Sequence, residues 1–455
     1  MQPRAAIAAI RFGLGRRPGE PVPGDPEAWL TGQLQAAPLP EEAPDLPDFA
    51  AIAAAFAEDR NDRVALAAAA EPPPVQAMAR IGPPRAILLE QAEQRAQAAL
   101  LLTTETPFRE RLASFWANHF AINARRGPVV GAHAGHMLRT AIRPHVTGPF
   151  ATLLEAAVLH PAMLAYLDNT QSVGPNSRAG RGGRLGLNEN LARELMELHT
   201  LSPAAGYSQA DVTEMARILT GWTVRAAQPP GGTVFLPNRH EPGEKTVLGR
   251  RFEAGEAAVR AALRFLADHP ATHGHIAAKL VRHFVADDPP PRAIRRVEGA
   301  LRDTGGDLGA ASAALVATPE AWEAPLSKLR SPQDYVVAVL RAVGSPPPPV
   351  VGSPPPPGQA VPFAMGLLGQ PLWQVPAPDG WPDTAPAWTA PEAMLRRVEW
   401  AHGVAGRFAR LNARDLAAEL LGPLAAPATL AELARAGSAR DALTLLLTSP
   451  EFQRR

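Results

Sequence analysis

Fifty prolines in a chain of 455 residues forbid long uninterrupted elements and set the grain of the fold. That share is about twice the usual ~5%. The prolines alternate with alanine-rich stretches. The sequence therefore predicts many medium-length helices, ended by Pro or Gly and joined by stiff loops. Apolar residues make up 46% of the chain, enough for a substantial core. The net charge of +1 gives no general attraction to nucleic acid or to an anionic membrane surface. No basic helix carries interleaved aromatics, so nucleic acid is not an expected partner. The chain has no cysteine, which removes disulfides, thiolate ligands and a cysteine nucleophile. No apolar run approaches the roughly 20 residues of a membrane span. The opening Met1–Ile10 is too short an apolar run for a signal peptide, and Arg16-Arg17 leads into Pro18-Gly19 rather than a hydrophobic segment. The expected compartment is the cytoplasm.

The expected fold class is mostly α, a multi-helical orthogonal or bundle-like array with one small β-hairpin. Residues 1–104 read as an N-terminal helical region and 105–344 as a central helical domain. A polyproline-type connector at 345–358 leads to a C-terminal helical region, 359–455, packing on the central domain. Thr106 followed by Pro107 marks a helix start. Ser208-Gln209-Ala210-Asp211 resembles a capping box. Thr233-Val234-Phe235 and Thr246-Val247-Leu248 are β-like and read as the hairpin, with a long polar loop between them. The Gly/Arg-rich segment 171–187 reads as a mobile surface loop.

Asn188–Leu201 carries the densest chemistry. Leu191, Ala192, Leu195, Met196 and Leu198 form one helix face, and Asn190, Arg193, Glu194 and Glu197 the other. His199 falls inside the apolar stripe. A second histidine repeats the pattern: His119 sits at the centre of the face made by Phe108, Leu112, Phe115, Trp116 and Ile122. Further on, His275, Lys279 and Arg282 share a face opposite Ile276, Leu280 and Phe284, which reads as a solvated stripe.

Several segments together are similar to one family. They are Phe115-Trp116-Ala117-Asn118-His119-Phe120, the Asn188–Leu201 run, Gly206-Tyr207 through Gly221-Trp222, His240-Glu241-Pro242-Gly243 with Lys245, and Gly380-Trp381-Pro382-Asp383. Their order and spacing resemble the bacterial family called domain of unknown function 1800, over nearly the whole chain. The resemblance carries no assigned reaction, cofactor or catalytic residue. It does imply a genomic neighbour, since members are often encoded beside sulfatase-like or phosphatase-like proteins.

Three readings stay open. In the first, His119, Glu194, Glu197 and His199, with His240 or Asp383, ligate Zn, Fe or Mn in a metal-dependent hydrolase or group-transfer enzyme. Glu197 and His199 project about 160° apart on a regular helix, so one helix cannot aim both at one ion. In the second, His119 or His199 is a metal-free acid or base oriented by Glu194 or Glu197, while Arg193 and Lys245 bind an anionic substrate and Asp383 and Trp381 are outer candidates. In the third, the chain is a helical scaffold or maturation partner of the sulfatase-like neighbour. The histidines are then core residues satisfied by a backbone carbonyl or by Asn118, and Arg193 pairs with Glu189 and Glu197 on the helix surface.

Overall fold

Proline begins helices here more than it ends them. In the computed structural model, which describes residues 1–35, 46–68, 83–183, 185–344 and 361–455, ten α-helices have proline as their first residue. They start at Pro3, Pro26, Pro107, Pro128, Pro161, Pro270, Pro291, Pro332, Pro391 and Pro427. The first helical residue needs no intrahelical N–H partner, and its φ matches the proline ring. Two of these starts share a device. His160 and His269 precede Pro161 and Pro270, and each Nδ1 accepts the N–H two residues on, at 3.2 and 3.1 Å. The connector expected at 345–358 lies outside the described residues.

The protein is mostly α-helical, with two small antiparallel strand pairs among the described residues. One core cluster runs from Ile7 to Phe452. Phe12 stands near its middle, with ring centroids 5.5 Å from Phe108, 5.9 Å from Phe284 and 5.4 Å from Trp322. No described helix is long and apolar enough to cross a membrane.

The strands differ from the sequence expectation in their partners. Strand β1 (Trp222–Val224) pairs with β2 (Thr233–Phe235), and β3 (Lys245–Val247) pairs with β4 (Arg250–Phe252). The segments 233–235 and 245–247 therefore pair outward rather than with each other. The second hairpin turns on Leu248 and Gly249, at φ +49° and +76°. Positive φ at both central residues defines the tight primed turn, which sequences usually mark with Asn-Gly. A leucine in that place hid it. The capping box is present: Ser208 Oγ accepts the Asp211 N–H at 3.2 Å, and Asp211 Oδ2 accepts the Ser208 N–H at 2.8 Å. The 171–187 loop is tied down. Asn176 donates from N and Nδ2 to Glu241 at 2.9 and 2.6 Å, and Ala179 N–H reaches Asn238 O at 2.9 Å.

Candidate functional site

The helix Pro107–His119 buries Phe108, Leu112, Phe115 and Trp116, and its last residue, His119, is buried with them. Facing it is the end of the Asn190–Glu194 helix, which widens into a π-helical turn over Leu195–His199. Such turns are rare and concentrate at functional sites. A helix end leaves its last carbonyls unpaired. Two imidazoles fill that need: His119 Nε2 donates to His199 O and His275 Nε2 to Leu198 O, both at 3.1 Å. The two elements are thereby joined through adjacent carbonyls.

The same geometry leaves ring nitrogens over. Nδ1 of His119 and both ring nitrogens of His199 are enclosed without a hydrogen-bond partner. A buried polar group left unpaired costs about 1–3 kcal/mol. The His119 ring centroid lies 5.7 Å from that of His199 and 6.4 Å from that of His275. Burial is the main reason that all three stay neutral, holding His199 at about 3, His275 at about 4 and His119 well below the usual imidazole range.

The positive charge of Lys279 adds to this effect on each ring. Lys279 lies one turn past His275 on the Pro270–Phe284 helix, partly buried. It makes no hydrogen bond or ion pair with any described residue. Burial pulls its amine down to about 8, Asp383 and Asp379 hold it up, and Arg282 lowers it further. The face carrying His275, Lys279 and Arg282, expected to be solvated, is turned inward against the π turn. One turn beyond Lys279, His283 Nδ1 donates to Asp383 Oδ2 at 2.7 Å.

Asn118 connects this site to the Gly380–Asp383 loop. Its Nδ2 donates to Trp381 O at 2.9 Å, and its Oδ1 accepts the Trp381 N–H at 2.8 Å. Gly380 has φ +88°, and a Cβ there would fall 2.4 Å from Asn118 O. Only glycine lets the loop approach so closely. Gly380→Ala should therefore destabilise by about 2 kcal/mol or more, whereas Gly182→Ala, with nothing within 4 Å, should be neutral. Urea midpoints of the two variants test this. Equal midpoints would mean that the loop is not held as described.

The remaining candidates separate. Glu194 is partly buried, with its carboxyl raised by burial and then by Glu197 and Asp379, against Arg193. Arg193 lies on the outside, 3.2 Å from Glu189 and 3.0 Å from Gln209. No ion pair links Arg193 to Glu197. His240 and Lys245 belong to a different buried group. His240 Nδ1 donates to Thr220 O at 2.8 Å, and its Nε2 accepts the Gly255 N–H at 2.9 Å. Lys245 is 1% exposed, donates to Glu241 O and lies 3.3 Å from His240 Nε2. Arg193 and Lys245 are thus placed in separate settings. Trp381 packs on Trp388 at 6.0 Å. Asp383 is engaged by His283, Lys328 and Arg455, and these partners hold its carboxyl well below the usual range despite burial. No group of three or more His, Asp or Glu side chains among the described residues is arranged to hold a metal ion.

Sequence reasoning passed over Lys279 as a site residue, yet a signal was present. Lys245, Lys279 and Lys328 are the only lysines among 45 basic residues, the rest being arginine. A chain so committed to guanidinium keeps a primary amine where compactness or a tunable pKa matters. Lys245 and Lys328 fit tight holes, each 1% exposed and hydrogen-bonded, whereas Lys279 has no such partner.

The profile of the protein family of unknown function DUF1800 matches residues 7–454. The chain belongs to that family. No curated protein and no solved structure matches it.

Proposed function

We propose that this is an enzyme of general acid–base chemistry, with Lys279 as the proton-transferring amine. His119 and His199 are its buried, neutral neighbours, and Glu194 and Asp379 are the nearby carboxylates. The observation that carries this reading is a partly buried amine without an ion-pair partner among the described residues, beside three neutral imidazoles. A base works best when its pKa lies near the operating pH, and burial is how a lysine gets there. The chemistry that fits is water activation in hydrolysis or group transfer. The alternative is a non-catalytic scaffold or maturation partner of a sulfatase-like protein. It is favoured by one observation, that His119 and His275 serve as caps on helix carbonyls.

Amine acylation mapped by mass spectrometry separates the two. Lys279 should react half-maximally near pH 8. Near neutral pH its reactive free-base fraction should exceed that of free lysine by about two orders of magnitude, on the order expected for that shift. In a screen of carboxyl, phosphoryl and sulfuryl esters, any turnover should vanish in Lys279→Gln while the fold is retained. A reactivity profile centred above about pH 10 would leave the scaffold reading, and turnover surviving in Lys279→Gln would take the proton transfer away from Lys279.

A further inference from the structure

A second site lies elsewhere, in a cleft of about 970 Å³ whose walls include Phe49, His136, His160, Trp222 and Arg264. Its chemistry is set by a chain of fixed protons. Ala162 N–H donates to His160 Nδ1 at 3.2 Å. A neutral imidazole that accepts at Nδ1 carries its proton at Nε2. His160 Nε2 lies 3.0 Å from His136 Nδ1, so His160 donates and His136 keeps its own proton on Nε2. Thr140 does not compete as a donor, because its hydroxyl is given to His136 O at 2.8 Å. Phe49 covers the pair, its ring 4.2 Å from that of His136. Burial is the main cause that keeps His136 at about 3 and His160 well below the usual imidazole range, and the charge of Arg139 adds to it at His136.

The result is a neutral N–H donor, His136 Nε2, that has no partner among the described residues and is not one of the enclosed atoms. A second donor has the same need. Trp222 is 5% exposed, and its Nε1 is enclosed and unpartnered. On the rim, Arg260 is paired with Glu155, while Arg264 makes no ion pair among the described residues and Asp268 is exposed. Leu159, Ala156 and Pro161 give an apolar wall. The unmatched groups are thus mainly donors, and a ligand rich in acceptor oxygens is the complement.

We propose that this cleft binds a small organic oxyanion, its apolar body on the Leu159–Pro161 wall and its charged oxygens taken by His136, Trp222 and Arg264. Calorimetric titration of the full chain with benzoate, phenyl phosphate and phenyl sulfate tests this, with benzyl alcohol as the uncharged control. At least one oxyanion should bind about tenfold or more tightly than the alcohol, and the preferred one identifies the headgroup as carboxylate, phosphate or sulfate. Trp222→Phe keeps an aromatic ring and deletes the N–H. Arg264→Gln changes an exposed side chain and should leave the fold intact. Each should weaken binding about tenfold, the loss of one charge-assisted hydrogen bond. No oxyanion binding, equal binding of the alcohol, or affinity unchanged in both variants would overturn the proposal.

Discussion

Acidification from about pH 7 to about pH 5 should unfold this protein, with uptake of several protons. Nine histidines are held below the usual imidazole range, chiefly by burial: His119, His133, His136, His160, His199, His240, His273, His275 and His283. Their folded values lie at about 4 or lower where they are defined, against 6.5 for the free imidazole. Between those limits the unfolded chain binds more protons than the folded one, so stability rises with pH and is lost as pH falls. Each such group contributes about 1.4 kcal/mol per pH unit. Between the free-imidazole value and pH 5 that is about 2 kcal/mol each, so several acting together reach the ~5–15 kcal/mol that holds an ordinary domain folded. Asp383, held well below the usual carboxyl range, pushes the same way in a lower window, because its stabilisation is present above the unfolded value of 3.8 and lost below it. Circular dichroism with potentiometric proton counting checks the result. A protein still folded near pH 4, or unfolding with less than one proton bound, would contradict the neutral-imidazole account.

Asp334→Ala should cost about 3–5 kcal/mol. This carboxylate lies 3.0 Å from Arg111 Nη1 and 2.8 Å from Arg455 Nε. The second contact is an ion pair whose N–H does not point along a good hydrogen bond. Arg111, Arg330 and Arg455 are each at most 2% exposed. Burial brings Arg111 down to about 10 and Arg330 to about 9, which shows how poorly solvated these cations are. Removing this carboxylate leaves Arg111 without an ion pair among the described residues and Arg455 with Asp383 alone, so positive charge is stranded in the interior. Deleting Arg111 as well should recover part of the loss, because the two sites share one network. Urea midpoints of the single and double variants measure both effects. A single-variant loss below about 1 kcal/mol would mean that water reaches the network and screens it.

The helical class was legible because alanine, proline and caps act locally. Ser208 and Asp211 need only their own turn to form a capping box, and they form it. The burial of His119 and His199 followed from helical periodicity alone. Strand partners were not legible, since Leu248 accepts a backbone conformation that its side chain disfavours. Nor was the inward turn of Lys279. Its helix is amphipathic by sequence, but the Leu195–His199 turn and the Gly380–Asp383 loop cover its polar face from far along the chain. His136 and His160 carried no motif that was read as chemistry. Their pairing depends on the His160–Pro161 helix start meeting a separate helix, 24 residues away in sequence.

The central claim is that Lys279 carries a tuned amine. Having only three lysines makes a direct reading practical. Selectively carbon-13-labelled lysine gives three side-chain resonances, assigned by Lys279→Gln, whose chemical shifts can be followed through alkaline pH. The account predicts a midpoint near 8 for Lys279, moving upward when Arg282 is replaced by Gln, because Arg282 is one of the groups that lower it. A midpoint at the ordinary lysine value of about 10.4 would show a solvated, structural lysine and would remove the acid–base site.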